Sequence, residues 1–185
     1  MKPVTRSEIL DYVTYSERRD AIRAVALRAK SIRRILVGEH FTFLFENHET
    51  VRYQVQEMIR VERIVKEDDV EHELATYNEL IHPKGTIGCT LLIGIENEAE
   101  RDAKLRAWRG LNDHIYAKMP DGSSARPTWD ERQVGEGRLS SVQYLAFALG
   151  TEAPAAIGIG MPGIEAETAL SDTQRGALRA DLTAD

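Results

Sequence analysis

A carboxylate placed on the apolar stripe of a helix is a candidate for chemistry, because burial forces it either to pair with a cation or to hold its proton. Glu62 has such a place in the sequence. Projected at about 100° per residue, the segment that begins at Thr50 puts Val51, Val55, Met58, Ile59 and Val65 on one stripe, with Glu62 near its middle. The next segment aligns Val70, Leu74, Tyr77 and Ile81, with Glu73 and Asn78 at the margin and His72 and Glu79 opposite. Packed face to face as a helical hairpin over residues 50–81, the two stripes would gather Glu62, Glu73, Tyr77 and Asn78 into one half-buried polar cluster.

Two chemistries follow from such a cluster. Carboxylates beside a histidine bind hard or borderline metals, so Glu62 and Glu73 are candidate ligands for iron, manganese or zinc, with Glu46 and His48 of the preceding loop as further ligands. A ferritin-like di-iron site needs a Glu-x-x-His pair on each of two helices, and the two segments do not both supply one. The competing account pairs Glu62 with an arginine, as structural ion pairs do.

Other chemistry-bearing residues carry less. His40, His82 and His114 lie in or beside predicted strands without ligand spacing, and Cys89 occupies an apolar strand face where a buried, inert thiol is expected. Nucleophile elbows and phosphate loops are missing. The nearest match to a dinucleotide fingerprint, Gly158-Ile159-Gly160-Met161-Pro162-Gly163, has a proline where a helix should start. No catalytic residue or cofactor is assigned on these grounds.

The elements that must position these groups are legible from capping and periodicity. Thr5 with Glu8, Thr14 with Glu17, Asp68 with Glu71 and Ser171 with Gln174 have the spacing of capping boxes, and Asn97 with Glu100 opens a helix similarly. In the long helix ending near residue 34, Ala21, Val25, Ala29 and Ile32 define a buried stripe, with a basic ridge of Arg19, Arg23, Lys30 and Arg34 opposite. A hairpin follows around Gly38-Glu39, with Phe41, Phe43 and Phe45 on one face. A strand then buries Ile87, Cys89, Leu91, Ile93 and Ile95. Residues 98–108 read as a helix, and strands are expected over 114–119, 139–149 and 155–160. The Ala, Gly and Pro content of residues 150–170 marks a partly mobile stretch.

The irregular order of these elements favours an α+β fold, a mainly antiparallel sheet of about five or six strands covered by helices, over a doubly wound one. A chain of 185 residues is within the size of one domain. No apolar run reaches the roughly 20 residues of a membrane span, and no signal peptide opens the sequence, so a cytoplasmic chain is expected.

Charge is segregated. The net charge is −6, yet residues 18–34 hold seven bases against one acid, and residues 46–79 hold ten acids against four bases. The two segments can pair within the molecule or recruit an acidic partner, a phosphate or nucleic acid. Without interleaved aromatics, the nucleic-acid alternative is the weaker.

The motifs Leu44-Phe45-Glu46-Asn47, Tyr53-Gln54-Val55-Gln56-Glu57-Met58, Glu62-Arg63-Ile64, and His72-Glu73-Leu74 with Thr76-Tyr77-Asn78-Glu79-Leu80 resemble a bacterial family known as the domain of unknown function DUF3501. The resemblance spans nearly the whole chain, with a fainter echo at His114-Ile115-Tyr116. It departs at His48, where the family pattern leads one to expect arginine. Its members are often encoded beside rubrerythrin-like and iron–sulfur oxidoreductase-like proteins. The resemblance therefore implies an accessory or binding protein of a redox or peroxide-stress module, docking such partners through charged helices.

Overall fold

A computed structural model describes residues 1–133, 135 and 137–184. A short 3-10 turn, Arg6–Glu8, is closed by the Thr5 and Glu8 capping box. Helix α1 spans Tyr12–Ser31, strands β1 and β2 are Arg34–Val37 and Phe41–Phe45, and helices α2 and α3 are His48–Glu62 and Glu67–Asn78. Strand β3 is Thr86–Ile93, helix α4 Glu98–Ala107, and strands β4 to β6 are Ile115–Lys118, Ser124–Ala125 and Thr128–Trp129. Strands β7 to β9 are Val142–Ala148, Ala156–Ile159 and Ala166–Ala169, and helix α5 is Asp172–Thr183.

The fold is α+β and its sheets are antiparallel, as expected. The strands form two sheets rather than one, ordered β1-β2-β3-β7-β6 and β5-β4-β8-β9. Strict alternation explains the core. Ile35, Val37, Phe41, Phe43, Phe45, Ile87, Cys89, Leu91, Ile93, Leu145 and Phe147 all point to one face of the larger sheet. That face packs on Ile115, Ala117, Ile157 and Ile159 of the smaller sheet, Leu105 of α4, and Leu178 and Leu182 of α5. Burying the aliphatic and aromatic side chains here removes apolar area from water at about 25 cal/mol per Å². A second cluster joins the N-terminal segment, through Val4 and Ile9, to Val51, Val55 and Ile59 of α2 and Val70 and Leu74 of α3.

Several expectations are corrected. Helix α1 begins two residues before Thr14, because the Asp11 carboxylate accepts from the backbone of both Val13 and Thr14 and so wins the cap. Helix α3 begins at Glu67 without a side-chain cap from Asp68. Three acids in its first turn, Glu67, Asp68 and Asp69, suit the positive end of the helix instead. The α1 stripe is rotated from the one expected: Ala21 and Val25 are exposed, and Tyr15, Ile22, Ala26, Lys30 and Arg33 turn inward. The strand expected over residues 155–160 is present as β8, fully buried in the middle of the smaller sheet. Gly158 is required there, because the ring of Tyr116 lies where a Cβ would be.

Candidate functional site

The outer face of the larger sheet lies opposite the main core. Its register sets Leu36, Thr42, Leu92 and Val142 in one row across β1, β2, β3 and β7. The next row holds Arg34, Leu44, Thr90 and Tyr144. The helical layer covers only one end of this face. At that end the carbonyl of Leu80, just past α3, lies against Gly88, where any Cβ would collide with it.

Glu46 is a buried carboxylate between the larger sheet and α2, at 6% exposure. It follows β2 directly, and its backbone N–H donates to the carbonyl of Gly88 at 2.8 Å. Its carboxylate accepts from the hydroxyls of Thr50 at 2.5 Å and Thr90 at 2.7 Å. Asn47 caps α2 next to it, so the positive helix end adds to these two donors. Lys30 supplies the nearby cation. Burial pulls its pKa down, Glu46 opposes that shift, and its ammonium lies 5.2 Å from the Tyr53 ring centroid. The group therefore fastens α1, α2 and the sheet together.

The cluster expected of Glu62, Glu73, Tyr77 and Asn78 does not assemble. Helix α2 ends at Glu62, with Arg63 in the left-handed conformation at φ 55°, so the projected stripe runs past the end of the helix. Glu62 is exposed, as are Val61 and Val65. It stands about 20 Å along α2 from Glu46. Glu73 is half-buried and has no hydrogen-bond or ion-pair partner among the described residues. Asn78 is occupied in holding the N-terminal segment, since its amide accepts from the Val4 N–H at 2.8 Å and donates to the Val4 carbonyl at 2.9 Å. His48 also meets that segment, at the Lys2 carbonyl (3.0 Å) and the Glu8 carboxylate (2.8 Å). Among the described residues, no three His, Cys, Asp or Glu side chains are gathered to hold a metal. Cys89 is fully buried, and desolvation raises its thiol pKa well above the usual value.

The basic ridge is divided as well. Arg23 and Arg34 are exposed, whereas Lys30 turns toward Glu46 and Arg19 makes a two-pronged pair with Glu57 at 2.8 and 2.9 Å. Glu57 is the functional-looking residue that periodicity misses. It also accepts from the Tyr15 hydroxyl at 2.6 Å and meets Arg60 at 3.2 Å. Arg19 above all holds its carboxyl down at about 2, against the opposing cost of burial. Opposed charge in the two segments is the signal the sequence offers, but it cannot name the pair.

Beside the covered end of the sheet is a cavity of about 370 Å³. Tyr77 and Glu79 from the end of α3, His82, Thr128 of β6, and Tyr144 and Ala146 of β7 line it. Tyr144 is 41% exposed and joins this cavity to the open rows. Burial raises its hydroxyl pKa, and Tyr77 and Glu46 push in the same direction. Burial also lowers the pKa of His82, which keeps its ring neutral at pH 7.

No curated protein matches the chain. A crystal structure of a protein of unknown function from Burkholderia pseudomallei K96243 has the same fold, with a TM-score of 0.88 and 29% identity over 99% of this chain and 100% of that one. The family model described as a protein of unknown function (DUF3501) matches residues 3–182, and the chain belongs to that family.

Proposed function

We propose that this protein is an accessory binding protein of a redox or peroxide-stress module, and that it docks an acidic partner on the outer face of its larger sheet. The observation that carries this reading is the uncovered row. Leu36 is 56% exposed and Leu92 38% exposed, on the same row of the sheet, with Tyr144 on the neighbouring row. Isolated exposed hydrophobes are ordinary, but several aligned on one sheet face form a patch that a partner can cover. Arg34 shares that face, and Arg23 and Arg28 stand exposed on α1, which leads into β1. An apolar row that shares its face with an exposed arginine favours a partner with an apolar centre and a carboxylate beside it.

The redox placement rests on the family resemblance, which points to rubrerythrin-like or iron–sulfur oxidoreductase-like proteins as the partners. Titrating purified candidates from the neighbouring genes tests both parts. Saturable binding at low salt that weakens as salt rises to about 0.5 M, where charges are screened beyond a few ångströms, is the expected result. Failure of these partners to bind at low salt would overturn the proposal.

A further inference from the structure

We infer that the cavity between the end of α3 and the β6–β7 edge binds a small organic cation, an ammonium head carried on an apolar body. Four features of its lining share one electrostatic sense. The phenol rings of Tyr77 and Tyr144 are there, and aromatic faces attract ammonium groups. Glu79 contributes a carboxylate, and no lysine or arginine is among the described lining residues. Helix α3 ends at this cavity with no basic residue in its last turn, so the negative end of its dipole is uncompensated by its own side chains. His82 is held neutral by burial and adds no opposing charge.

The apolar part of the ligand has its own place. Ala146, with Leu80 beside it, supplies the apolar portion of the wall, and a volume of about 370 Å³ falls in the range of small-molecule sites. An anion would find no lysine or arginine among the described lining residues, and a neutral ligand would gain nothing from the charge of Glu79. Tyr144 is common to this lining and to the docking face, but Leu36 and Leu92, whose substitution tests docking, are absent from the lining, so the two readings can fail separately.

The test is a titration of the full chain followed by amide NMR shifts, using choline, its uncharged isostere 3,3-dimethylbutanol, and the anion 3,3-dimethylbutanoate. Choline is expected to produce saturable shifts centred on Tyr77, Glu79 and Tyr144, with an affinity at least about tenfold above the isostere, in keeping with a cation held on aromatic faces. Both Glu79→Gln and Tyr144→Leu should weaken it by about fivefold or more. Both positions are exposed, so the variants are expected to fold, and their unchanged spectra away from the cavity verify this. Equal binding of choline and the isostere, preference for the anion, no saturable shift, or choline binding unaltered in both variants would each overturn the inference.

Discussion

Glu57 shows how charge is used in this molecule. One carboxylate takes the Tyr15 hydroxyl, both prongs of Arg19 and the Arg60 guanidinium, and so ties the middle of α1 to α2. Its pKa lies at about 2, against 4.5 for an ordinary glutamate, so it favours the folded state above pH 4.5 and loses that effect as pH falls toward 2. Glu8, also held at about 2, through the Thr5 backbone and hydroxyl and through His48, acts over the same window. Glu57→Gln is therefore expected to lose about 1–3 kcal/mol of stability at pH 7 and to show a flatter fall between pH 4.5 and 2. Urea unfolding at a series of pH values reads both effects; parallel curves for variant and parent would contradict the assignment. At Glu46 the donors are hydroxyls, so Thr90→Val should cost about 1–3 kcal/mol by leaving a buried carboxylate short of one hydrogen bond, which the same unfolding assay measures. Neither residue's partners can be known from the sequence. Helical projection ranks positions within one segment, and it favours Glu62, but Glu57 and Glu46 acquire their partners from α1 and β3, far along the chain.

Elements are legible where local chemistry decides them and obscure where tertiary contacts do. Asn97 and Ser171 cap α4 and α5 at the positions their spacing predicts, and Ile87, Cys89, Leu91, Ile93 and Ile95 are all buried as alternation requires. Strands β5 and β6 leave no signal because two residues carry no period, and β9 leaves none because Ala166–Ala169 has one half-exposed side and no large apolar residue. Periodicity misplaces the α1 stripe because Lys30 and Arg33 turn inward, Lys30 toward Glu46 and Arg33 into a buried two-pronged pair with Asp181 at 2.6 and 3.0 Å. Charged side chains on an inward face erase the apolar signal that periodicity depends on. The N-terminal segment adds a further device: Gln56 grips the backbone of Leu10 through both amide atoms, as Asn78 grips Val4. Asn78→Ala should cost about 1–3 kcal/mol and speed amide exchange around Val4. Unchanged protection in hydrogen exchange would show that the apolar contacts of Val4 and Ile9 suffice without the amide.

Across the whole molecule, the two faces of the larger sheet have different fates. One is sealed by the second sheet, α4 and α5, while the other is covered at one end and carries Leu36 and Leu92 exposed at the other, with Tyr144 between the two. The α+β class and the antiparallel pairing can be inferred from the order of elements; this asymmetry cannot, since it arises from how far the helical layer extends over the sheet. No helix among the described residues is long and apolar enough to cross a membrane. The open face is the surface that the proposed docking would cover. The most direct test is calorimetric titration of a purified rubrerythrin-like or iron–sulfur oxidoreductase-like partner with the parent chain and with Leu36→Asp/Leu92→Asp. Exposed positions of this kind change stability by about 0.5 kcal/mol or less, so the variant should stay folded. A loss of affinity of at least about tenfold on placing two charges in the patch, with the parent binding saturably, is the predicted result; equal affinity of the two chains for that partner would contradict the docking surface.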